Sequence, residues 1–128
     1  MKKVLLVWFM GVIMISCGKK FSIDDIAGKE FRLTNPLGEY NITITIEKDG
    51  SMSGFSGVNR YFGPVEIKDG KITTGNIAGT MMAGSEESMR AEGEYKNLLS
   101  QVDALEYKSG KLTITTNNGE KLEFQENN

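Results

Sequence analysis

The chain has 128 residues, of which 39% are hydrophobic and 25% charged, and its formal net charge is −2. This length accommodates one domain with a modest core and leaves no room for two. Histidine is absent and cysteine occurs once, which excludes Ser-His-Asp and Cys-His catalysis and the usual zinc ligand sets. Acidic and basic residues are interspersed without a basic block, so the composition also argues against a nucleic-acid partner.

The first sixteen residues have the pattern of a secretory signal. A two-lysine start precedes an uncharged apolar run from Val4 to Ile15. This run is too short to span a bilayer, because a membrane helix needs about 20 apolar residues. Ser16 and Gly18 flank the single cysteine, Cys17, as in the bacterial lipobox that is cleaved just before cysteine. We therefore predict that residues 1–16 are a lipoprotein signal peptide and that Cys17 is lipidated.

Lipidation predicts a protein of the cell envelope, anchored by its lipid to the outer membrane and facing the periplasm. A single cysteine cannot form an internal disulfide in an exported protein, which favours acylation over a structural thiol. Each buried methylene contributes about 0.8 kcal/mol, so two or three acyl chains hold a protein on the bilayer. Residues 17–25 are predicted to form the lipidated tether, with a helical turn capped by Ser22, and residues 26–126 to form the domain.

From Gly28 onward the apolar residues recur with a period of two, which is typical of half-buried strands. In the clearest run, isoleucines alternate with threonines from Ile42 to Ile46. Turn signals that tolerate positive φ angles favour antiparallel hairpins, and they occur at Asp49-Gly50, Asp69-Gly70, Ser109-Gly110 and Asn118-Gly119. The predicted strands are Lys29–Thr34, Tyr40–Glu47, Ser51–Phe55, Tyr61–Lys68 with an interruption at Gly63-Pro64, Lys71–Thr74, Ala104–Lys108, Lys111–Thr115 and Lys121–Gln125. Eight short strands indicate a mainly β protein with a closed antiparallel barrel.

One segment, from Ser85 to Val102, has the period of an amphipathic helix. Its predicted apolar face consists of Met89, Tyr95, Leu98, Leu99 and Val102. Gly93 inside this helix predicts close packing against a strand or a kink, because glycine costs about 1 kcal/mol there relative to alanine. We expect the apolar face to plug the mouth of the barrel.

Two further segments carry a resemblance to a known family. Residues 54–63 read GFSGVNRYFG, residues 77–83 read IAGTMMA, and Glu92 lies in the helix that follows. In content and order these segments resemble the META domain of HslJ-like bacterial lipoproteins, over about Ile26 to Phe124. The resemblance implies a barrel that is lipocalin-like in outline with one helix packed on it. Val58 and Gly84 stand where that family commonly has cysteines.

The resemblance also marks a candidate binding or structural motif, whose residues are Asn59, Arg60, Thr80, Met82 and Glu92. Asn59 and Arg60 could bind an anionic ligand. In the alternative that we favour, Asn59 shapes a turn and Arg60 pairs with Glu92, so that the motif is architectural. Ser56 does not fit a nucleophile elbow, because Val58 occupies the place of the second glycine. We predict no catalytic residues, no cofactor and no metal site.

Two functions stay open at this point. The first is a non-catalytic, lipid-anchored envelope protein whose barrel rim and helix contact an unidentified envelope protein; the resemblance associates such a module with stress responses. The second is a barrel that binds a small ligand. Bulky side chains favour a filled interior over a cavity. The residues expected to fill it are Phe31, Leu33, Ile42, Ile44, Ile46, Val65, Ile67, Ile72, Leu105, Ile114, Leu122 and Phe124.

Overall fold

The computed structural model describes residues 21–127, which form nine strands and one α-helix. The strands are β1 (Glu30–Asn35), β2 (Thr43–Ile46), β3 (Ser51–Phe55), β4 (Arg60–Lys68), β5 (Lys71–Thr74), β6 (Ala78–Gly79), β7 (Val102–Lys108), β8 (Lys111–Thr116) and β9 (Lys121–Glu126). The helix α1 (Glu86–Leu99) connects β6 to β7. All strand pairings among these residues are antiparallel.

Eight of the strands close into a barrel. The order around it is β3-β2-β1-β9-β8-β7-β5-β4, and pairing between β4 and β3 completes the ring. The two-residue strand β6 lies outside this ring and pairs with the start of β4. The prediction of a mainly β, closed antiparallel barrel with one helix is therefore confirmed.

The interior of the barrel is filled by side chains that alternate inward along the strands. Eleven of the twelve predicted core residues are buried, and the twelfth, Ile67, is partly buried and packs against the others. The core also includes Ile26, Met52, Tyr61 and Leu112, and the helix adds Tyr95, Leu98 and Leu99. The apolar contacts therefore run continuously from the barrel into α1.

Most predicted strands end within two residues of the observed bounds, and two predictions differ by more than that or in the continuity of the strand. The second begins at Thr43, because Gly38–Tyr40 forms a 3₁₀ turn and Asn41 adopts a left-handed conformation with φ 59°. The predicted interruption at Gly63-Pro64 is wrong, since β4 is continuous and Pro64 stands in register with Ser51 on β3. The strand β6 was not predicted, because its two residues are too few to show a period.

The helix is shorter than predicted and differs from the prediction at three positions. It ends at Leu99, and Val102 is the first residue of β7. Met89 lies on the exposed side of α1 and outside the core. Gly93 does not pack closely against a strand, as one reading predicted: it is exposed, and a Cβ atom added to it would meet nothing within 4 Å.

The two ends of the barrel differ in what covers them. At one end, which we call the helix end, α1 contacts the connections between strands; for example, Tyr40 before β2 donates a hydrogen bond to Glu87 (2.7 Å). At the other, the hairpin end, lie the three tight turns β2–β3, β4–β5 and β7–β8. The N-terminal segment joins the hairpin end, where Gly28 N–H donates to the Ile46 carbonyl (2.9 Å). The predicted Ser22 cap is confirmed there, on a 3₁₀ turn.

Candidate functional site

A buried glutamate, Glu92, is the centre of a polar cluster at the helix end. Its side chain is on the inner face of α1, and the residue is only 8% exposed. One carboxylate oxygen, Oε1, accepts hydrogen bonds from the Ser56 hydroxyl (2.6 Å) and from the backbone N–H groups of Val58 (3.2 Å) and Asn59 (2.8 Å). The other, Oε2, accepts from the Asn59 side-chain amide (2.9 Å).

The connection between β3 and β4 is shaped to present these donors. Gly57 has φ 119°, a conformation that an L side chain rarely adopts. A hydrogen bond from Ser56 N–H to the Asn59 carbonyl (2.8 Å) closes the turn. The backbone N–H groups of residues 58 and 59 then point in one direction, and such a concave arrangement attracts an anion. In this protein the anion is the carboxylate of Glu92.

Asn59 links the same cluster to the segment after β6. Its carbonyl oxygen, Oδ1, accepts from the Thr80 hydroxyl (2.9 Å) and from Met82 N–H (2.6 Å). Its amide nitrogen donates to the Met82 carbonyl (3.1 Å) in addition to Glu92. One asparagine side chain therefore joins α1, the β3–β4 connection and the chain that leads into the helix.

The hydrogen bonds decide the charge of Glu92. Burial alone would raise the pKa of this carboxyl, but the hydrogen bonds from Ser56, Asn59 and Val58 outweigh the loss of solvation and lower it. Lys96, one helical turn further on, places its Nζ 4.0 Å from Oε2 and adds a favourable charge. The carboxylate is therefore ionised at neutral pH and is engaged by groups of the protein itself.

Four of the five predicted motif residues meet in this cluster: Asn59, Thr80, Met82 and Glu92. Arg60 contributes its backbone N–H, which donates to the Thr80 hydroxyl (3.2 Å), while the residue is exposed. The predicted pairing of Arg60 with Glu92 is wrong, because Tyr61 faces the core and its neighbour on β4 must then face outward. Ser56 also belongs to the cluster and was not among the predicted residues. Cys17 lies outside the described residues.

A second polar contact joins α1 to the barrel, between Tyr95 on the helix and Tyr61 on β4. The hydroxyls of Tyr61 and Tyr95 are 2.7 Å apart, and both residues are fully buried. Tyr61 donates to the Thr43 carbonyl (2.8 Å), so Tyr95 is the donor between the two tyrosines. Burial raises the pKa of both phenols. This contact therefore holds two neutral hydroxyls in the core.

Val58 and Gly84, the positions where the META family commonly has cysteines, touch each other. A Cβ atom added to Gly84 would lie 3.6 Å from the Val58 Cβ. The Cβ atoms of a disulfide are about 3.5–4.5 Å apart. The spacing of these two Cβ positions therefore matches that of a disulfide, although neither residue carries sulfur.

Four large apolar side chains are exposed in the part of the chain that the structure describes: Phe62 (52%), Met81 (96%), Met82 (64%) and Met89 (45%). We call these four residues the rim patch, since they lie on the first residues of β4, the segment after β6 and the first half of α1. The chain carries no charged residue from Ile72 to Ser85. Met81 and Met82 belong to this uncharged stretch, and exposed apolar side chains of this kind are typical of interaction surfaces.

Three grooves among residues 21–127 lie on the outside of the barrel or at its turns. They have volumes of about 250, 510 and 280 Å³. The largest lies over polar residues of β7, β8 and β9 such as Thr113, Lys121 and Glu123. None of the three is lined by the aromatic residues of the core. Within the described part of the chain, no helix has the length and apolar character needed to cross a bilayer.

The fold and the cluster define a closed eight-stranded barrel domain with a helix fixed over one end. A family model described as META domain matches residues 15–128, and the chain therefore belongs to the META domain family. No curated protein matches the chain significantly.

Solved structures share the fold at low sequence identity. A protein from Burkholderia xenovorans, determined by NMR, is 24% identical with a TM-score of 0.67, over 94% of this chain and 99% of its own. A DUF4847 family protein from Bacteroides vulgatus is 14% identical with a TM-score of 0.60, over 82% of this chain and 96% of its own. These similarities establish the fold and give no information about activity.

Proposed function

We propose that this protein is a non-catalytic, lipid-anchored component of the cell envelope that binds another envelope protein through the rim patch. The observation that carries the proposal is the exposure of Phe62, Met81, Met82 and Met89 on a domain whose interior is otherwise filled. Methionine is common at surfaces that adapt to protein partners, because its side chain is flexible and polarisable. Phe62 belongs to the barrel rim and Met89 to the helix, the two regions expected to contact a partner, and Met81 and Met82 lie on the segment between β6 and the helix.

A non-catalytic role is consistent with how the buried polar groups are used. The Glu92 carboxylate accepts four hydrogen bonds from its own chain, and Asn59 is engaged on both sides of its amide. The Tyr61 and Tyr95 hydroxyls bond to each other in the core. A catalytic group needs a free position toward substrate, and these side chains have partners within the fold. The filled interior likewise does not favour the alternative of a ligand-binding barrel.

The anchor is tested by Cys17→Ala, with the signal segment otherwise unchanged. We expect the wild-type protein in the membrane fraction, with the mass of residues 17–128 plus acyl chains. The Cys17→Ala variant should lose both the acyl mass and the membrane association, because it lacks the thiol that is modified. A variant that remains on the membrane would show that the apolar run itself is retained as the anchor.

The binding surface is tested by photo-crosslinking in whole cells from a reactive residue at position 81. The control carries the same residue at Lys121, an exposed position on the outer face of β9. We expect an adduct of one defined mass from position 81, absent from position 121 and abolished by Met82→Glu with Met89→Glu. Equal labelling at both positions would refute the rim patch as the binding surface.

A further inference from the structure

We infer that the hairpin end of the barrel rests against the lipid headgroups, so that the helix end with its rim patch points away from the membrane. This inference deepens the proposed function and depends on the lipid anchor at Cys17. The surface formed by the β2–β3, β4–β5 and β7–β8 turns would then contact the headgroup layer of the bilayer.

The first step is the length of chain between the anchor and the folded domain. Three residues, Gly18 to Lys20, separate Cys17 from Phe21, where the described structure begins. An extended chain rises at most about 3.6 Å per residue, so the backbone can carry Phe21 no more than about 14 Å from Cys17. The domain therefore stays close to the surface in which the acyl chains are held.

The second step is the position of Phe21 in the fold. Phe21 and Ile23 pack against the core, and Ile26 is fully buried. An ion pair between Asp24 and Lys48 (2.8 Å) joins this segment to the β2–β3 turn. The Gly28 hydrogen bond to β2 fixes it as well. The chain therefore enters the domain at the hairpin end.

The barrel is taller than the distance that the chain can span between Cys17 and Phe21. β4 has nine residues, which at about 3.3 Å each gives a length of about 30 Å. With the strand tilt of about 40° that small barrels have, its height is still about 23 Å. The reach from Cys17 to Phe21 is shorter than this height, so Cys17 cannot reach the helix end while residues 21–28 keep their place.

The surface chemistry of the two ends agrees with this orientation. The turns of the hairpin end carry lysines and aspartates, including Lys68, Asp69 and Lys108, all exposed. The exposed large apolar side chains described above belong to the rim patch, away from these turns. A polar surface of mixed charge contacts headgroups without entering the hydrocarbon, and the acyl chains supply the attachment.

The test uses tryptophan as a depth probe, because the single tryptophan of the chain is Trp8, in the signal segment. Lys68→Trp and Lys108→Trp each place a probe at the hairpin end, and Met81→Trp places one at the helix end. The acylated proteins are added to phosphatidylethanolamine and phosphatidylglycerol vesicles that carry a headgroup nitroxide quencher. We expect at least threefold stronger quenching of the two hairpin-end probes than of the probe at position 81.

The outcomes separate the orientation from the anchor. Acylated protein that floats with the vesicles but shows equal quenching, or stronger quenching at position 81, would overturn the orientation alone. A chain that lacks acyl mass and does not float would overturn the anchor and the orientation together. The two hairpin-end variants replace exposed lysines on different turns, so agreement between them excludes a local effect of either substitution.

Discussion

At the scale of single residues, Glu92 shows how a charge is accommodated next to an apolar core. Transferring a carboxylate out of water is unfavourable by several kcal/mol unless donors replace the water. Here the replacements are one hydroxyl, two backbone N–H groups and one amide, all within 3.2 Å. All four donors belong to residues 56–59, so the turn and the helix depend on each other.

Glu92→Gln should lower the free energy of unfolding by about 2–4 kcal/mol, because a glutamine amide cannot accept from donors on both of its terminal atoms. Urea unfolding of purified protein measures this effect. Glu94→Gln is the matched control, since Glu94 is exposed on the same helix, and it should change stability by less than about 0.5 kcal/mol. Equal effects of the two substitutions would contradict the role assigned to Glu92.

The lowered pKa of Glu92 predicts a pH dependence of stability with a definite sign. A carboxyl whose pKa is lower in the folded state stabilises the fold above its unfolded value, and this contribution is lost as the pH falls toward the folded pKa. The stability difference between wild type and Glu92→Gln should therefore be largest near pH 7 and shrink below about pH 4.5, the ordinary value. A difference that stays constant from pH 7 to pH 3 would contradict it.

Gly93→Ala should stabilise the protein by about 0.5–1 kcal/mol. Glycine in a helix interior is unfavourable relative to alanine, and a methyl group at this position meets open space. Thermal unfolding provides the measurement. Gly54→Ala is the opposite case, because its Cβ would overlap the Thr43 carbonyl, and it should lower the melting temperature. Destabilisation by Gly93→Ala would mean that this glycine has a role the packing does not show.

At the scale of elements, the loop before α1 runs beside the β3–β4 connection closely enough to be joined to it. Val58→Cys combined with Gly84→Cys, in a Cys17→Ala background, should form a disulfide on air oxidation. The valine methyl that would lie 2.9 Å from a new Cβ is removed in the double variant. We expect a gain of about 3 kcal/mol over the reduced form, as for loops of similar length.

Thiol counting and melting temperatures with and without reductant measure this gain. The single variants Val58→Cys and Gly84→Cys are the controls, and neither should respond to reductant as a monomer. Two free thiols in the oxidised double variant would show that the segments are farther apart than the packing indicates.

The elements themselves could be predicted wherever a local signal was strong. The alternation from Ile42 to Ile46 and the Asp-Gly turns specify β2 and its hairpin, since period and turn chemistry act within a few residues. Local signals failed at Asn41, whose left-handed backbone ends the strand early. They failed again at β6, whose pairing with β4 depends on contacts distant in sequence.

The sequence was sufficient to predict which residues meet in the candidate site, but not which hydrogen bonds they form. The resemblance pointed to Asn59, Thr80 and Glu92, which do meet. It could not show which donor reaches Glu92, because an arginine next to an asparagine suggests an ion pair and only the strand register shows that Arg60 faces outward. Ser56 carried no signal of its own, since its hydroxyl matters only once α1 has placed Glu92 beside it.

At the scale of the whole molecule, packed side chains fill the interior of the barrel. Phe124→Ala should lower the free energy of unfolding by about 3–5 kcal/mol, because the side chain is fully buried and its removal leaves a cavity. Wild-type protein should not bind a small apolar molecule such as benzene or indole, whereas the cavity in the variant gives space for such a molecule. Uptake by wild type, measured by calorimetry, would instead support a ligand-binding barrel.

The pairing of Glu92 with the β3–β4 connection also fixes the register in which α1 docks. A slide of the helix by one turn would bring Lys96 to the position of Glu92, and the same N–H groups would then face an ammonium ion. The apolar contacts of Tyr95, Leu98 and Leu99 permit several placements, because hydrophobic packing tolerates shifts that preserve volume. The hydrogen bonds to the Glu92 carboxylate form in only one of these placements. A single charged side chain therefore selects the native position of the helix over positions shifted by one turn.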